Sequence, residues 1–136
     1  MPLKALDKVA KRTSRGIRLF LERYGYWLTI LTLTAITVAS LMPRGSTGDP
    51  SAVGVPDSFA HVLAYALVIF FPAATPSVPL RWPTAAVLAW GLAIECLQRL
   101  VGRNASLADI AANIAGVLVG ILVGLLLRKL LLSLSA

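Results

Sequence analysis

The sequence predicts an all-α membrane protein: a four-transmembrane-helix bundle preceded by a basic amphipathic N-terminal helix. Three observations point there. The 136-residue chain is 57% hydrophobic and only 14% charged, with a mean hydropathy of +0.79, more apolar than an ordinary soluble domain of its size. Its apolar residues gather into four runs, 26–42, 59–74, 83–101 and 107 to 127 or beyond, each approaching the roughly 20 residues that cross hydrocarbon as a helix. Stretches such as GVLVGILVGLLL are continuously apolar, which favours helices over the alternating strands of a barrel.

Residues 1–25 form a basic amphipathic segment, and 26–136 the four-helix membrane domain. In the leader, Leu3, Leu6, Ala10, Thr13, Ile17, Phe20 and Tyr24 recur at helical spacing, and Lys4, Lys8, Lys11, Arg15 and Arg18 follow one or two positions behind as an adjoining basic flank. Such a helix suits an anionic leaflet, each base contributing on the order of 1 kcal/mol near the surface. The leader and the apolar run after it are both longer than in typical secretory signals, so a retained first span is expected rather than cleavage near Val38–Ser40. The net charge of +7 also suits nucleic acid, but no aromatic-basic readout motif accompanies it, and no nucleic-acid partner is expected.

The second run is short and needs tilt or local thinning to span. The third opens on RWP, with Pro83 tolerated at a helix start, and PAATPSVP before it reads as a hairpin. With both termini cytoplasmic, all of the 13 Lys and Arg except Arg44, Arg99 and Arg103 lie inside, which obeys the positive-inside bias. Trp27 and Trp82 then mark the inner interface. Cys96 is the single cysteine, so no intrachain disulfide forms.

Polar residues inside the spans fall in the outer half of this arrangement. At a rise of about 1.5 Å per residue, Glu95 lies about 12 Å, Gln98 about 7 Å and Asn113 about 9 Å below the outer boundary; His61 and Tyr65 follow at about 3 and 9 Å. They can share one site that opens outward. Glu95 is the most informative, because an acid near mid-span costs roughly 2.5–3.5 kcal/mol unless it is neutralised or paired. It is either a protonated group tying helices together or a functional acid, and the functional reading is favoured. Gln98 and Arg99 follow it on neighbouring positions of its helical face.

Ser106 and Asp109 fit a capping box at the start of the fourth span, and Asp57 fits an N-cap of the second. Asp57, His61 and Tyr65, four residues apart, share a face. Asn113 lies one turn below Asp109, and Gly116, Gly120 and Gly124 continue a small-residue stripe, first of all a helix-packing face. Thr29, Thr32 and Ser40 read as packing or backbone-bonding residues.

With these motifs in view, the chain resembles the VanZ-like family of small bacterial membrane proteins, named for a determinant of teicoplanin resistance. The resemblance is carried by Asp57, His61 and Tyr65 in DSFAHVLAY, by Glu95 and Gln98 in ECLQ, and by Arg103, Ser106, Asp109, Asn113 and Gly116 in GRNASLADIAANIAG. It covers about residues 57–120. One departure is Ser58, where the family often has a lysine after the first aspartate. The resemblance implies a multipass bacterial plasma-membrane protein concerned with the cell envelope or with glycopeptide sensitivity, without a settled chemistry.

Three functions remain, in order. The first is binding or handling of an anionic envelope lipid or glycopeptide-related ligand, with Arg103, Arg99, Gln98, Asn113, Tyr65 and Ser106 as ligand contacts around the electropositive start of span four. The second is acid-base catalysis on a lipid-linked envelope substrate by Glu95, His61 and Asp57 or Asp109. A metal site from His61 and the carboxylates is a variant of this, but no clustered ligand motif is present, so no metal or cofactor is expected. The third is a structural role, with a membrane-protein partner or a second copy held through Gly116, Gly120 and Gly124.

Overall fold

The computed structural model describes residues 3–42, 57–100 and 107–135, and all its regular structure is helical. Four helices follow one another: α1 (Leu3–Leu41), α2 (Asp57–Ala74), α3 (Arg81–Leu100) and α4 (Leu107–Ser135). Two are long and apolar enough to cross a membrane, α1 over Ala5–Leu41 and α4 over its whole length. The apolar stretch Ser58–Ala74 of α2 is shorter. Arg81, Glu95, Gln98 and Arg99 lower the hydropathy of α3, which is not among the candidate spans.

The basic leader and the first apolar run form one helix. At about 1.5 Å per residue α1 is roughly 58 Å long, about twice a hydrocarbon core of roughly 30 Å, and within its N-terminal half Arg18 and Leu21 still reach Ser135 and Leu131 at the end of α4. Leu6, Ile17, Phe20 and Tyr24 of the leader's apolar stripe are exposed, while Ser14 and Leu21 are buried. The packed stripe, Ser14, Leu21 and Gly25, is thus shifted by one residue from the apolar one. Small residues set that choice. At Gly25 an added Cβ would lie 2.9 Å from Thr75 Oγ1, so the backbone of α1 rests directly on the end of α2. Thr29 and Thr32 donate to the carbonyls of Gly25 and Leu28 at 2.8 and 2.7 Å, which satisfies their hydroxyls within the helix.

The tightest packing is between α2 and α4, which run parallel. Gly116 faces the carbonyl of Val62 and Gly120 that of Ala66, both too close for any Cβ, and at Gly124 a Cβ would stand 2.9 Å from the carbonyl oxygen of Phe70. A four-residue glycine period on α4 thus meets a four-residue carbonyl period on α2, a geometry suited to Cα–H···O contacts. This stripe, expected as a face for a partner or second copy, is occupied by α2 of the same chain. A partner there would have to displace α2.

Around that pair the core is Tyr65, Val68, Ile69, Val87 and Val117. A second cluster, Leu21, Ala74 and Leu131, ties α1 to the far ends of α2 and α4. On the opposite faces Leu31, Leu118, Leu122 and Leu126 are each about three-fifths exposed or more. Pro72 lies inside α2, two residues before its end at Ala74, so the helix stops soon after the backbone donor that proline lacks. The hairpin then turns through Thr75–Leu80, and Ser77 donates through both its backbone N–H and its hydroxyl to the Glu22 carboxylate. α3 starts at Arg81, so Pro83 falls in its first turn rather than at its first position. The chain therefore alternates direction, and one end of the bundle gathers the end of α1, the start of α2, the end of α3 and the start of α4.

Candidate functional site

That end holds the polar residues. On α2, His61 and Tyr65 are one turn apart with rings nearly parallel, 6° between planes and 6.4 Å between centroids. Tyr65 is 2% exposed, and its ring fits because position 91 on α3 is glycine: a Cβ there would stand 3.1 Å from both Cε1 and the hydroxyl. The hydroxyl of Tyr65 has no hydrogen-bond partner among the described residues.

His61 is held from two sides. Its Nδ1 lies 2.8 Å from Asn113 Oδ1 on α4, and since an amide oxygen only accepts, Nδ1 carries the proton. Across the site, Glu95 Oε1 of α3 is 3.9 Å from the same nitrogen. Glu95, Gln98 and Asn113 are each more than nine-tenths buried. α3 turns Val87, Gly91, Ile94, Glu95 and Gln98 inward, so its acid sits on the same face as its packing residues while Arg99 is exposed. Gln98 donates to the backbone carbonyl of Ser40 at 3.0 Å, closing α1 over the site.

At the mouth, Ser58 donates to Asp109 Oδ1 at 3.4 Å. Asp109 lies in the first turn of α4, where the helix dipole favours a carboxylate. Ser106 and Arg103 lie outside the described residues, as does the side chain of Asp57, whose backbone starts α2. One ligand atom each from His61, Glu95 and Asp109 lies within 4.8 Å of the others. Beside them a cavity of about 190 Å³ runs between α3 and α4, lined by Leu88, Gly91, Leu92, Ile110, Asn113 and Ile114.

Of the expected site residues, the structure thus unites His61, Tyr65, Glu95, Asp109 and Asn113, and places Gln98 one turn from Glu95 against α1. It leaves Arg99 on the outer face. The sequence reading passed over Gly91 and the contact of Ser58 with Asp109. Glycine in the middle of the apolar run AWGLA was the available signal for the first; nothing local marked the second. Compared with known protein families, curated proteins and solved structures, the chain matches none of them.

Proposed function

We propose that the chain is a VanZ-like integral membrane protein of the bacterial plasma membrane, whose four helices span the bilayer with both termini cytoplasmic. Its polar end faces outward and binds or handles an anionic cell-envelope lipid or a glycopeptide-related ligand. One observation carries the reading: residues from all three segments of the resemblance, separated widely in sequence, meet at one end of a bundle whose outer faces are apolar. Apolar surface on this scale needs a nonaqueous neighbour, and buried polar groups at membrane depth mark functional sites. Positive charge for the ligand would come from Arg103, Arg99 and the amide groups that open α4.

A second reading is favoured by the spacing of His61 and Glu95. An imidazole and a carboxylate 3.9 Å apart suit proton transfer on a lipid-linked substrate. Native mass spectrometry of the purified protein, together with envelope-drug sensitivity at matched membrane abundance, tests the two. Retained anionic lipid that is lost in Arg103→Ala, with Glu95→Gln behaving as wild type, supports binding. Full lipid occupancy with function abolished by Glu95→Gln supports acid-base work. Absence of any bound lipid, with wild-type drug sensitivity in every variant, overturns both.

A further inference from the structure

We propose that His61, Glu95 and Asp109, with Asn113 Oδ1 as a fourth donor, form a binding site for one divalent cation between α2, α3 and α4. The inference goes beyond ligand handling, because it concerns the metal alone.

The spacing comes first. Around an ion with ligands at about 2.1 Å, neighbouring donors stand about 3.0 Å apart and opposite ones about 4.2 Å. His61 Nδ1 is 2.8 Å from Asn113 Oδ1 and 3.9 Å from Glu95 Oε1, so the nitrogen can share an ion with either oxygen. Asp109 completes a set whose ligand atoms lie within 4.8 Å of one another. A carboxylate shift of a few tenths of an ångström closes the remainder.

The chemistry agrees with the spacing. One imidazole, two carboxylates and an amide oxygen make a mixed nitrogen and oxygen set, which suits Mn²⁺ or Zn²⁺ better than a soft thiophilic ion. Ligation by Nδ1 requires the tautomer that carries its proton on Nε2.

Two further observations point to an occupant. The Tyr65 hydroxyl, on a side chain 2% exposed, has no partner among the described residues and belongs to the ring stacked on His61. The cavity of about 190 Å³ between α3 and α4 touches the donor set at Asn113 alone, its other lining residues being glycine or aliphatic, so a ligand completing the metal's coordination would approach from that side.

The experiment is a titration of the full chain, in nanodiscs of zwitterionic lipid, with Mn²⁺ alone, following loss of the free-ion electron paramagnetic resonance signal against empty nanodiscs. Saturation at one ion per chain is expected. His61→Ala and Glu95→Gln should weaken binding by about tenfold or more, with helix content checked by circular dichroism. Asn113→Asp, which exchanges a neutral donor for an anionic one, should tighten it. No saturable binding of Mn²⁺ or of competing Zn²⁺ by the wild type overturns the proposal. So does unchanged affinity in folded Glu95→Gln and Asn113→Asp. Because no envelope lipid is present, the outcome is separate from that of the lipid-handling reading.

Discussion

His61 and Asn113 face each other at 2.8 Å from parallel helices, one turn above the point where Gly116 rests on the carbonyl of Val62. The polar contact and the close backbone approach share one register. Without the glycines α4 would stand farther from α2, and an asparagine would not reach the imidazole. A double-mutant cycle on His61→Ala and Asn113→Ala should therefore return a coupling of roughly 0.6–2 kcal/mol, read from reversible unfolding in mixed micelles. Additive effects would mean that the pair contributes nothing to holding α2 on α4.

The glycines predict a graded series. Gly→Ala in a helix interior is worth up to about 1 kcal/mol of propensity in favour of alanine, so any net loss reports steric cost. At Gly16 nothing lies within 4 Å of an added Cβ, and Gly16→Ala should be neutral or stabilising. At Gly116 and Gly120 the Cβ meets backbone carbonyls, which cannot swing aside as a side chain can. Gly116→Ala and Gly120→Ala should each destabilise by roughly 1–3 kcal/mol. Equal melting temperatures across the series would contradict the intimate α2–α4 contact.

These two results also indicate what could be read from the chain itself. Spacing alone placed Asn113 and the glycines on one face of α4, because a helix with 3.6 residues per turn leaves no other arrangement. Span limits and rise put Glu95, His61 and Asn113 in the same half of the bundle but at depths from about 3 to about 12 Å, so their meeting at one level was not legible. Which helix the glycine stripe meets was not legible: small residues say that something approaches closely, not whether it comes from the same chain. The leader shows the same limit. Its apolar periodicity was plain, yet the buried stripe runs through Ser14, Leu21 and Gly25, one residue over, because α1 meets the end of α2 where Gly25 allows close approach and Leu21 packs on Ala74 and Leu131.

Ser58 gives a prediction about the departure from the VanZ-like pattern. Its hydroxyl is 3.4 Å from Asp109 Oδ1, a long contact for a hydroxyl donor. A lysine at this position could carry its ammonium to the same carboxylate, at the electropositive start of α4. Ser58→Lys should be tolerated and change stability by no more than about 1 kcal/mol, in the stabilising direction at neutral pH and low salt. Thermal unfolding at two salt concentrations measures it. A folded protein destabilised by several kcal/mol would show that the mouth of the site has no room for the longer side chain.

Adjacent residues on α3 provide the last prediction, because they point opposite ways: Glu95 is 3% exposed and turned to the bundle interior, whereas Cys96 is exposed on its outside. In a bilayer the outside of α3 is lipid, where a thiol meets little aqueous reagent. Cys96 should therefore react poorly with a membrane-impermeant maleimide in intact cells, yet readily after detergent extraction, when its exposed side meets reagent. The reverse holds for Glu95→Cys in a Cys96→Ala background. If the polar end opens outward through the cavity beside Asn113 and Gly91, that thiol should be labelled from the outside in intact cells, and prior incubation with an anionic lipid ligand should protect it. Fast labelling of Cys96 in cells would place the outer face of α3 in water and overturn the membrane-spanning assignment of that helix. Labelling of the introduced thiol only from the cytoplasmic side would reverse the orientation of the bundle while leaving its packing intact.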